Sequence, residues 1–259
     1  MERLSVVILV KNEEKQIRDC LESAKWADEI IIVDDYSLDK TVEICREYTD
    51  KIFQRKMTDG FSRQREYGIN QAGGNWILSL DADQTVTEGL REEIREVLNN
   101  GTSCSGFRIY RPTSYLGKWM RYCGWRTPVL VLFRKDKIGY DGKLVHEDVV
   151  SSGDIGLLKN EILHHTYDSL SEHFDRMDLY TSYDARELWR RGVRLNPGNY
   201  VIYFFLKPVF IFLRKYIVYQ GFREGVRGLF ISVVTAFVVF MNYAKLWEIQ
   251  YVQKRKGRG

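Results

Sequence analysis

The chain has 259 residues, of which 44% are hydrophobic and 14% aromatic, so it can bury the core of a folded domain and is not a disordered segment. Its four cysteines form no CxxC pair, which argues against a zinc ribbon and against a disulfide-stapled secreted fold. The net charge is +4, but residues 185–259 carry 14 Lys and Arg against three acids, a local charge of +11, and the remainder carries −7. This split predicts a basic C-terminal segment that faces an anionic partner.

The first hundred residues alternate between short apolar runs and segments of helical periodicity. The runs are rich in β-branched residues, as expected of strands buried on both faces. They occupy residues 4–10, 29–35, 51–55 and 75–80. The predicted helices cover Ile17 to Ala24, a segment that starts at Asp39, residues 61–72, and a segment opened by Thr87 and Glu88. This alternation predicts parallel βαβ units with helices on both faces of a sheet, whose ligands bind at the carboxyl ends of the strands.

After residue 100 the alternation stops, and we expect a mixed sheet that completes the fold and shapes a second substrate site. The predicted strands cover residues 106–112, 128–135, 144–150 and 161–165, and a long amphipathic helix follows from 169 to 191. The loop 114–125 is rich in Tyr and Trp, which either stack on the sugar rings of an acceptor or form a core under the loop.

Two acids, Asp81 and Asp83, follow the apolar run 75–80. Positions i and i+2 of a strand project to the same side, so the two carboxylates would repel each other unless a positive charge lies between or beyond them. Hard oxygen ligands in this arrangement suit Mg²⁺ or Mn²⁺, which in turn binds a diphosphate. The alternative is a solvated acidic turn.

Another acidic pair, Asp34 and Asp35, ends the second predicted strand. Adjacent residues face opposite sides, so one acid can reach the crevice while the other anchors the loop. An acceptor at this point suits the N–H of a base or a ribose hydroxyl, which predicts nucleotide binding. Ser37 and Asp39 are expected to cap the following helix.

Four segments together resemble the family 2 glycosyltransferases of the inverting, GT-A type: residues 6–14, 33–41, 61–84 and 144–148. The resemblance implies an α/β GT-A fold, Rossmann-like, with a mainly parallel twisted sheet and helices on both faces. It also implies a nucleotide-sugar donor, usually a UDP-sugar. The donor would be held by Val10, Lys11, Asn12 and Glu13, by Asp34 or Asp35, and by Ala82. Asp81 would contact the donor ribose or the metal, and Asp83 would ligate the cation on the diphosphate.

Arg63 or Arg65 is expected to face the diphosphate, unless both belong to a solvated charged face. An inverting displacement also needs a general base, for which the resemblance points to the triplet 146–148. We predict that Glu147 is the general base, with Asp148 as the second candidate. The alternative is that the triplet is a solvated turn without a catalytic role. His146 orients Glu147 or binds metal, and the adjacent His164 and His165 remain unassigned.

The last sixty residues contain two apolar runs, 200–213 and 229–241, flanked by basic residues. Neither run reaches the roughly 20 residues of a spanning helix, and Pro208 is expected to break the first, so we expect helices that lie in the membrane interface. Two buried helices are the alternative. Residues 221–248 are similar to the tail of the bacterial lipopolysaccharide inner-core glucosyltransferase subgroup. That similarity implies a peripheral enzyme bound to the anionic cytoplasmic face of the inner membrane.

The expected domains are a catalytic domain, 1–192, with a nucleotide-sugar half (1–100) and an acceptor half (101–192), and a membrane-associating tail, 193–259. No signal-type leader precedes the first apolar run, so we expect the catalytic domain in the cytoplasm. The expected function is inverting transfer of a hexose, with glucose preferred, from a UDP-sugar to a lipid-linked saccharide such as the lipopolysaccharide inner core.

Three alternatives remain open. A polyisoprenyl-phosphate glycosyltransferase would share the donor site. A non-catalytic basic module that binds membrane or nucleic acid is disfavoured for nucleic acid, because the tail interleaves its charges with aliphatic runs. A nucleotide-sugar pyrophosphorylase or kinase is disfavoured because the chain contains neither GxxxxGK nor GxGxxG.

Overall fold

The computed structural model describes residues 2–58, 60–140 and 149–256, with backbone alone for 138–140, 149–151 and 256. The chain divides into two compact units. Unit 1 consists of residues 1–113 and 126–166, and unit 2 consists of residues 114–125 and 167–259. The division places 167–192, predicted to lie in the catalytic domain, in the same unit as the tail; where the catalytic region itself ends stays a prediction.

Four parallel strands form one half of the sheet in unit 1. They are β1 (Leu4–Val10), β2 (Glu29–Asp34), β3 (Ile52–Gln54) and β4 (Trp76–Asp81), in the order β3-β2-β1-β4. Every residue of β2 is buried, as are six of the seven in β1, because helices cover both faces. All four strands were predicted from their apolar runs.

Seven further strands are described, and one of them, Arg126–Arg134, joins the sheet antiparallel to β4. They are β5 (Gln84–Val86), β6 (Gly106–Tyr115), β7 (Lys118–Met120), β8 (Arg126–Arg134), β9 (Ile138–Tyr140), β10 (Val149–Ser151) and β11 (Ile155–Tyr167). Beyond β4 the sheet continues β8-β6-β11-β5, whereas β9 and β10 form a separate pair. The predicted mixed second half of the sheet is therefore present. The short strands β5, β7 and β9 were not predicted, and β11 is longer than the predicted 161–165. Residues 144–148 of the predicted strand 144–150 lie outside the described residues.

The described part of unit 1 contains the helices α1 (Ile17–Ala24), α2 (Thr41–Arg46), α3 (Phe61–Gln71) and α4 (Glu88–Asn100). α4 begins as predicted, since the Thr87 hydroxyl accepts the N–H of Leu90. α2 begins at Thr41 and not at Asp39, because the Asp39 carboxylate accepts the Thr41 N–H from outside the helix. α3 packs close to the sheet at Gly68, where a Cβ would lie 2.6 Å from Val7 Cγ1.

Unit 2 is largely helical. It contains α5 (Leu170–Arg190), α6 (Lys207–Leu213) and α7 (Val226–Lys256), and both α5 and α6 pack on α7. Lys207 and Pro208 interrupt the apolar run 200–213, but the helical path continues through them: π-helical turns at Ile202–Leu206 and Arg214–Val218 flank α6. The Lys207 N–H bonds to the Ile202 carbonyl, and this wider turn accommodates the proline.

The apolar character of the tail is greater than its separate runs indicated. Val226–Arg255 lies in one continuous helix that is long and apolar enough to cross a membrane, judged by length and composition alone. Large apolar side chains on the helical segment 201–218 are also exposed, among them Phe205 at 69% and Phe210 at 60%.

Candidate functional site

The carboxyl ends of three neighbouring strands meet at one edge of the sheet in unit 1. Val10 at the end of β1 pairs with Asp34 of β2, and Leu9 pairs with Asp81 of β4. Ligands of open α/β sheets bind in the crevice outside such ends. The structure thus brings the predicted nucleotide-sugar residues of these three strands together.

The loops that follow β1 and β2 are bonded to each other. Asn12, at φ 55°, donates its N–H to the Ser37 hydroxyl and accepts the Leu38 N–H on its side-chain oxygen. The Glu13 N–H donates to the Thr41 hydroxyl at 2.7 Å. These bonds fix the backbone of the predicted segment 10–13 against the segment that carries Asp34 and Asp35.

The two acids at the end of β2 have different partners. Asp34 is fully buried, and its oxygens accept the Ser37 N–H at 3.0 Å and the Gln54 side-chain amide at 3.0 Å. Asp35 lies 2.5 Å from the exposed Lys11 ammonium and accepts the Met57 N–H at 2.9 Å. Asp34 therefore anchors the loop, and Asp35 is the acid paired with the strand-one loop.

Asp81 is held by cationic and amide groups of unit 1. Its carboxylate lies 2.5 Å from Arg65 and 3.7 Å from Arg111, and it accepts the Gln84 amide at 2.8 Å. Burial would raise the pKa of this carboxyl, but Arg65 and Arg111 together lower it to about 2. Positive charges of the kind that the sequence required are thus present beside Asp81.

Asp83 lies in a different environment from Asp81. β4 ends at Asp81, so Asp83 stands in the turn before β5 and the expected same-side projection along one strand does not apply. Asp83 is 7% exposed, and its Oδ1 lies 3.4 Å from His164 Nε2. The other ring nitrogen, Nδ1, lies 3.3 Å from the Thr113 hydroxyl, which orients the imidazole.

This carboxylate and imidazole fit a divalent cation by their chemistry. Within the described ranges no group of three or more His, Cys, Asp or Glu side chains is arranged to hold an ion. Two protein ligands suffice where the oxygens of a bound diphosphate and water complete the coordination, as is common for Mg²⁺. Asp83 and His164 are therefore the residues that could hold the ion.

Residues 5–163 match the family model described as "Glycosyl transferase family 2". The chain belongs to this family. The predicted membership and the prediction of an enzyme are thus confirmed: the protein is a glycosyltransferase.

Two curated proteins are similar to this glycosyltransferase over nearly its whole length. The lipopolysaccharide core biosynthesis glycosyltransferase LpsC of Rhizobium meliloti (strain 1021) is 28% identical, covering 97% of this chain and 94% of its own. The uncharacterized glycosyltransferase RT0209 of Rickettsia typhi (strain ATCC VR-144 / Wilmington) is 27% identical, covering 96% and 88%. The similarity to LpsC therefore supports the predicted relation to lipopolysaccharide core glycosyltransferases.

A solved structure supports the fold. The crystal structure of S. aureus TarS 1-349 in complex with UDP superposes with a TM-score of 0.50 at 16% identity, covering 97% of this chain and 92% of that chain. Together with the family match, this likeness confirms the predicted GT-A fold. The predicted amphipathic, membrane-associated C-terminal helices correspond to a helical C-terminal segment that includes one apolar helix, α7; its association with a membrane stays a prediction.

Arg63 and Arg65 of the glycosyltransferase differ in exposure and in the acid that each one binds. Arg63 is largely exposed and pairs with Glu66 at 2.7 Å, whereas the side chain of Arg65 is 13% exposed and binds Asp81. Arg63 thus lies on the solvated face that was its alternative interpretation, and a role at the diphosphate stays a prediction. Ala82, between the two acids, is 4% exposed.

The sequence alone left His164 without a predicted role. The pairing of β11 with β5 sets His164 opposite Gln84, the neighbour of Asp83, and this register is the information that the sequence lacked. The side chains of the adjacent histidines project to opposite faces of the strand. The His164 ring contacts the Asp83 carboxylate, whereas the His165 backbone N–H donates to the Asp83 carbonyl at 2.8 Å. The predicted bases Glu147 and Asp148, with His146, lie outside the described residues.

Proposed function

We propose that this glycosyltransferase moves a hexose, with glucose preferred, from a UDP-sugar to a lipid-linked saccharide such as the lipopolysaccharide inner core, with inversion at the anomeric carbon. The pair Asp83 and His164, 3.4 Å apart beside the acid-bearing strand ends, carries this proposal. The similarity to LpsC over almost all of both chains supports the choice of acceptor class.

The donor lies across the ends of β1, β2 and β4. Asp35 with Lys11 receives the nucleoside, while Asp34 holds the loop that presents Asp35. Asp81, kept anionic by Arg65, accepts a ribose hydroxyl or joins the metal ligands. Asp83 and His164 would hold Mg²⁺ or Mn²⁺, and such an ion would supply positive charge to the diphosphate leaving group.

The acceptor hydroxyl attacks the anomeric carbon from the side opposite the diphosphate. Its proton passes to Glu147, with Asp148 as the alternative base, while the bond from the anomeric carbon to the diphosphate oxygen breaks. The products are the β-linked saccharide and UDP, so atoms and charge balance in a single displacement.

The tail binds the enzyme to an anionic membrane at its cytoplasmic face. Residues 185–259 carry a charge of +11, and each Lys or Arg near an anionic leaflet contributes about 1 kcal/mol. The exposed apolar side chains of 201–218, such as Phe205 and Phe210, enter the interface beside them.

The test is an assay of UDP release from a panel of nucleotide sugars, with rough lipopolysaccharide in phospholipid vesicles, with and without EDTA. We expect turnover with a UDP-hexose, its loss with EDTA, and its recovery with Mn²⁺ or Mg²⁺. Absence of turnover with every donor and every metal would contradict the proposal.

The general base is tested in the same assay with Glu147→Gln and Asp148→Asn. We expect Glu147→Gln to reduce transfer by about 100-fold or more. Transfer to rough lipopolysaccharide that survives both substitutions would contradict the assignment of the base. Transfer to a polyisoprenyl phosphate that survives both would instead favour that acceptor, because a phosphate acceptor needs little base catalysis. Asp136→Asn is the matched control, since Asp136 is an exposed carboxylate whose ion pair, among the described residues, is with its neighbour Lys137.

A further inference from the structure

The segment 114–125, here called the aromatic loop, belongs to unit 2 together with residues 167–259. Several bonds fasten its backbone to the segment that precedes and begins α7. The Cys123 N–H donates to the Tyr219 carbonyl at 2.9 Å, and the Cys123 carbonyl accepts from Lys215 at 2.9 Å. Arg227 donates to the Leu116 carbonyl at 2.9 Å. The loop is thus built onto the C-terminal segment.

A buried carboxylate, that of Glu224, makes a second set of bonds to the aromatic loop. Glu224 is 5% exposed and lies in the short helical turn Gly221–Glu224. One oxygen accepts the backbone N–H groups of Arg121 at 2.8 Å and Tyr122 at 2.9 Å, and the other accepts Lys118 Nζ at 2.7 Å. Burial would raise the pKa of this acid, but these donors lower it, so Glu224 is ionised at neutral pH.

The aromatic loop needs such restraint because its backbone is strained. Leu116 and Cys123 adopt φ values of 48° and 61°, in the left-handed region that non-glycine residues rarely occupy. Conformations of this kind persist only where surrounding contacts hold them. The bonds to Arg227, Lys215 and Tyr219 fall on these same two residues.

The aromatic loop also follows directly on the candidate metal site along the chain. Thr113, which contacts His164, is the residue before it. Between the bonded positions 118 and 122, Trp119 is 40% exposed and Arg121 is exposed. An aromatic ring and a guanidinium are groups that pack on and hydrogen-bond to a saccharide.

We propose that Glu224 is a positioning residue of the acceptor subsite: it fixes the backbone of 118–122 so that Trp119 and Arg121 are presented to the saccharide of the lipid-linked acceptor. This inference rests on the proposed function and deepens it. Acceptor recognition then depends on the membrane-binding segment, because the turn that carries Glu224 leads into α7.

The experiment compares Glu224→Ala with wild type in the full-length protein. We expect the KM for rough lipopolysaccharide in vesicles to rise about tenfold or more, because charge-assisted hydrogen bonds to three donors are lost. The KM for the UDP-sugar and the rate of acceptor-independent UDP release should stay within about twofold, since the donor site lies in unit 1. Glu187→Gln, a carboxylate of the same unit paired with Arg190 and Arg191, is the matched control.

A second pair of variants separates positioning from loss of fold. Gln at 224 keeps an oxygen for the two N–H groups but places its amide against Lys118, so Glu224→Gln should raise the acceptor KM. Adding Lys118→Met removes the contact between the amide and the ammonium group, so the double variant should regain the acceptor KM of the wild type. An unchanged acceptor KM in folded Glu224→Ala, or in Glu224→Gln where the alanine variant does not fold, would overturn the inference. A wild-type protein that releases no UDP from any donor would instead overturn the proposed function.

Discussion

The imidazole Nε2 of His164 lies 3.4 Å from the Oδ1 of Asp83, although 81 positions separate the two residues in the sequence. Strand β11 delivers the histidine and the turn after β4 delivers the acid, and Thr113 fixes the other ring nitrogen. A carboxylate and an imidazole oriented in this way act as one ligand pair, so the loss of either should weaken the binding of a cation.

We therefore predict that Asp83→Asn lowers UDP release by about 100-fold or more, because an amide is a poor ligand for a hard cation. His164→Gln should lower it by about 10- to 100-fold. Binding of Mn²⁺ in the presence of UDP, followed by calorimetry, should weaken in parallel. Asp136→Asn is the control, and full EDTA-sensitive activity in Asp83→Asn would contradict the assignment.

The pair Arg65 and Asp81 leads to a prediction about stability. Arg65→Met should lower the free energy of unfolding at pH 7 by about 1–2 kcal/mol, a modest value because the Asp81 side chain is 35% exposed. The pKa of Asp81 is about 2 against an ordinary 3.8, so this stabilisation is present above about pH 3.8 and is lost as pH falls toward 2.

Urea unfolding at pH 7 and at pH 3 measures this difference between wild type and Arg65→Met. The gap should be smaller at pH 3. Arg63→Met is the matched control, because the largely exposed Arg63 pairs only with Glu66 within the described contacts, and it should change stability by less than about 0.5 kcal/mol. An equal decrease in the free energy of unfolding in the two variants would show that the ion pair of Arg65 with Asp81 does not stabilise the fold more than the exposed pair does.

The sequence predicted the parallel half of the fold well because buried strands leave continuous apolar runs, such as Leu4–Val10 and Trp76–Asp81. It missed β5, since three residues carry too little periodicity, and it shortened β11, whose exposed Lys159 interrupts the apolar pattern. Local patterns identified the acids of the site. His164 could not be identified because its role follows from non-local strand pairing.

The two acids that end β2 should respond differently to neutralisation. Asp35→Asn should weaken UDP binding by about tenfold with little change in stability, because Asp35 pairs with a largely exposed Lys11. Asp34→Asn should mainly destabilise the fold, because one of its bonds to Ser37 and Gln54 is lost inside a buried site. Calorimetry with UDP and thermal unfolding separate the outcomes, and the reverse pattern would assign the nucleoside to Asp34.

Membrane binding by the tail can be tested without truncation, which would remove most of unit 2. Phe205→Glu with Phe210→Glu should reduce binding to vesicles of phosphatidylethanolamine and phosphatidylglycerol by about tenfold or more, because each inserted aromatic contributes about 1.5–3 kcal/mol. Leu157→Glu, at an apolar residue 53% exposed in unit 1, is the control. If the double variant floats with the vesicles as the wild type does, the prediction that Phe205 and Phe210 bind the membrane is wrong.

His173 should make unit 2 sensitive to mild acid. It is 9% exposed and bonded to the Tyr115 hydroxyl at 3.0 Å, and burial lowers its pKa from 6.5 to about 4. Between pH 6.5 and pH 4 this histidine is protonated in the unfolded chain but neutral in the folded chain. The free energy of unfolding therefore decreases as the pH is lowered from about 6.5 to about 4, by at most about 1.4 kcal/mol per pH unit. Urea unfolding from pH 7 to pH 5 should show this slope reduced in His173→Gln and retained in His165→Gln, which changes an exposed histidine. Equal slopes in the two variants would assign the acid sensitivity to other groups.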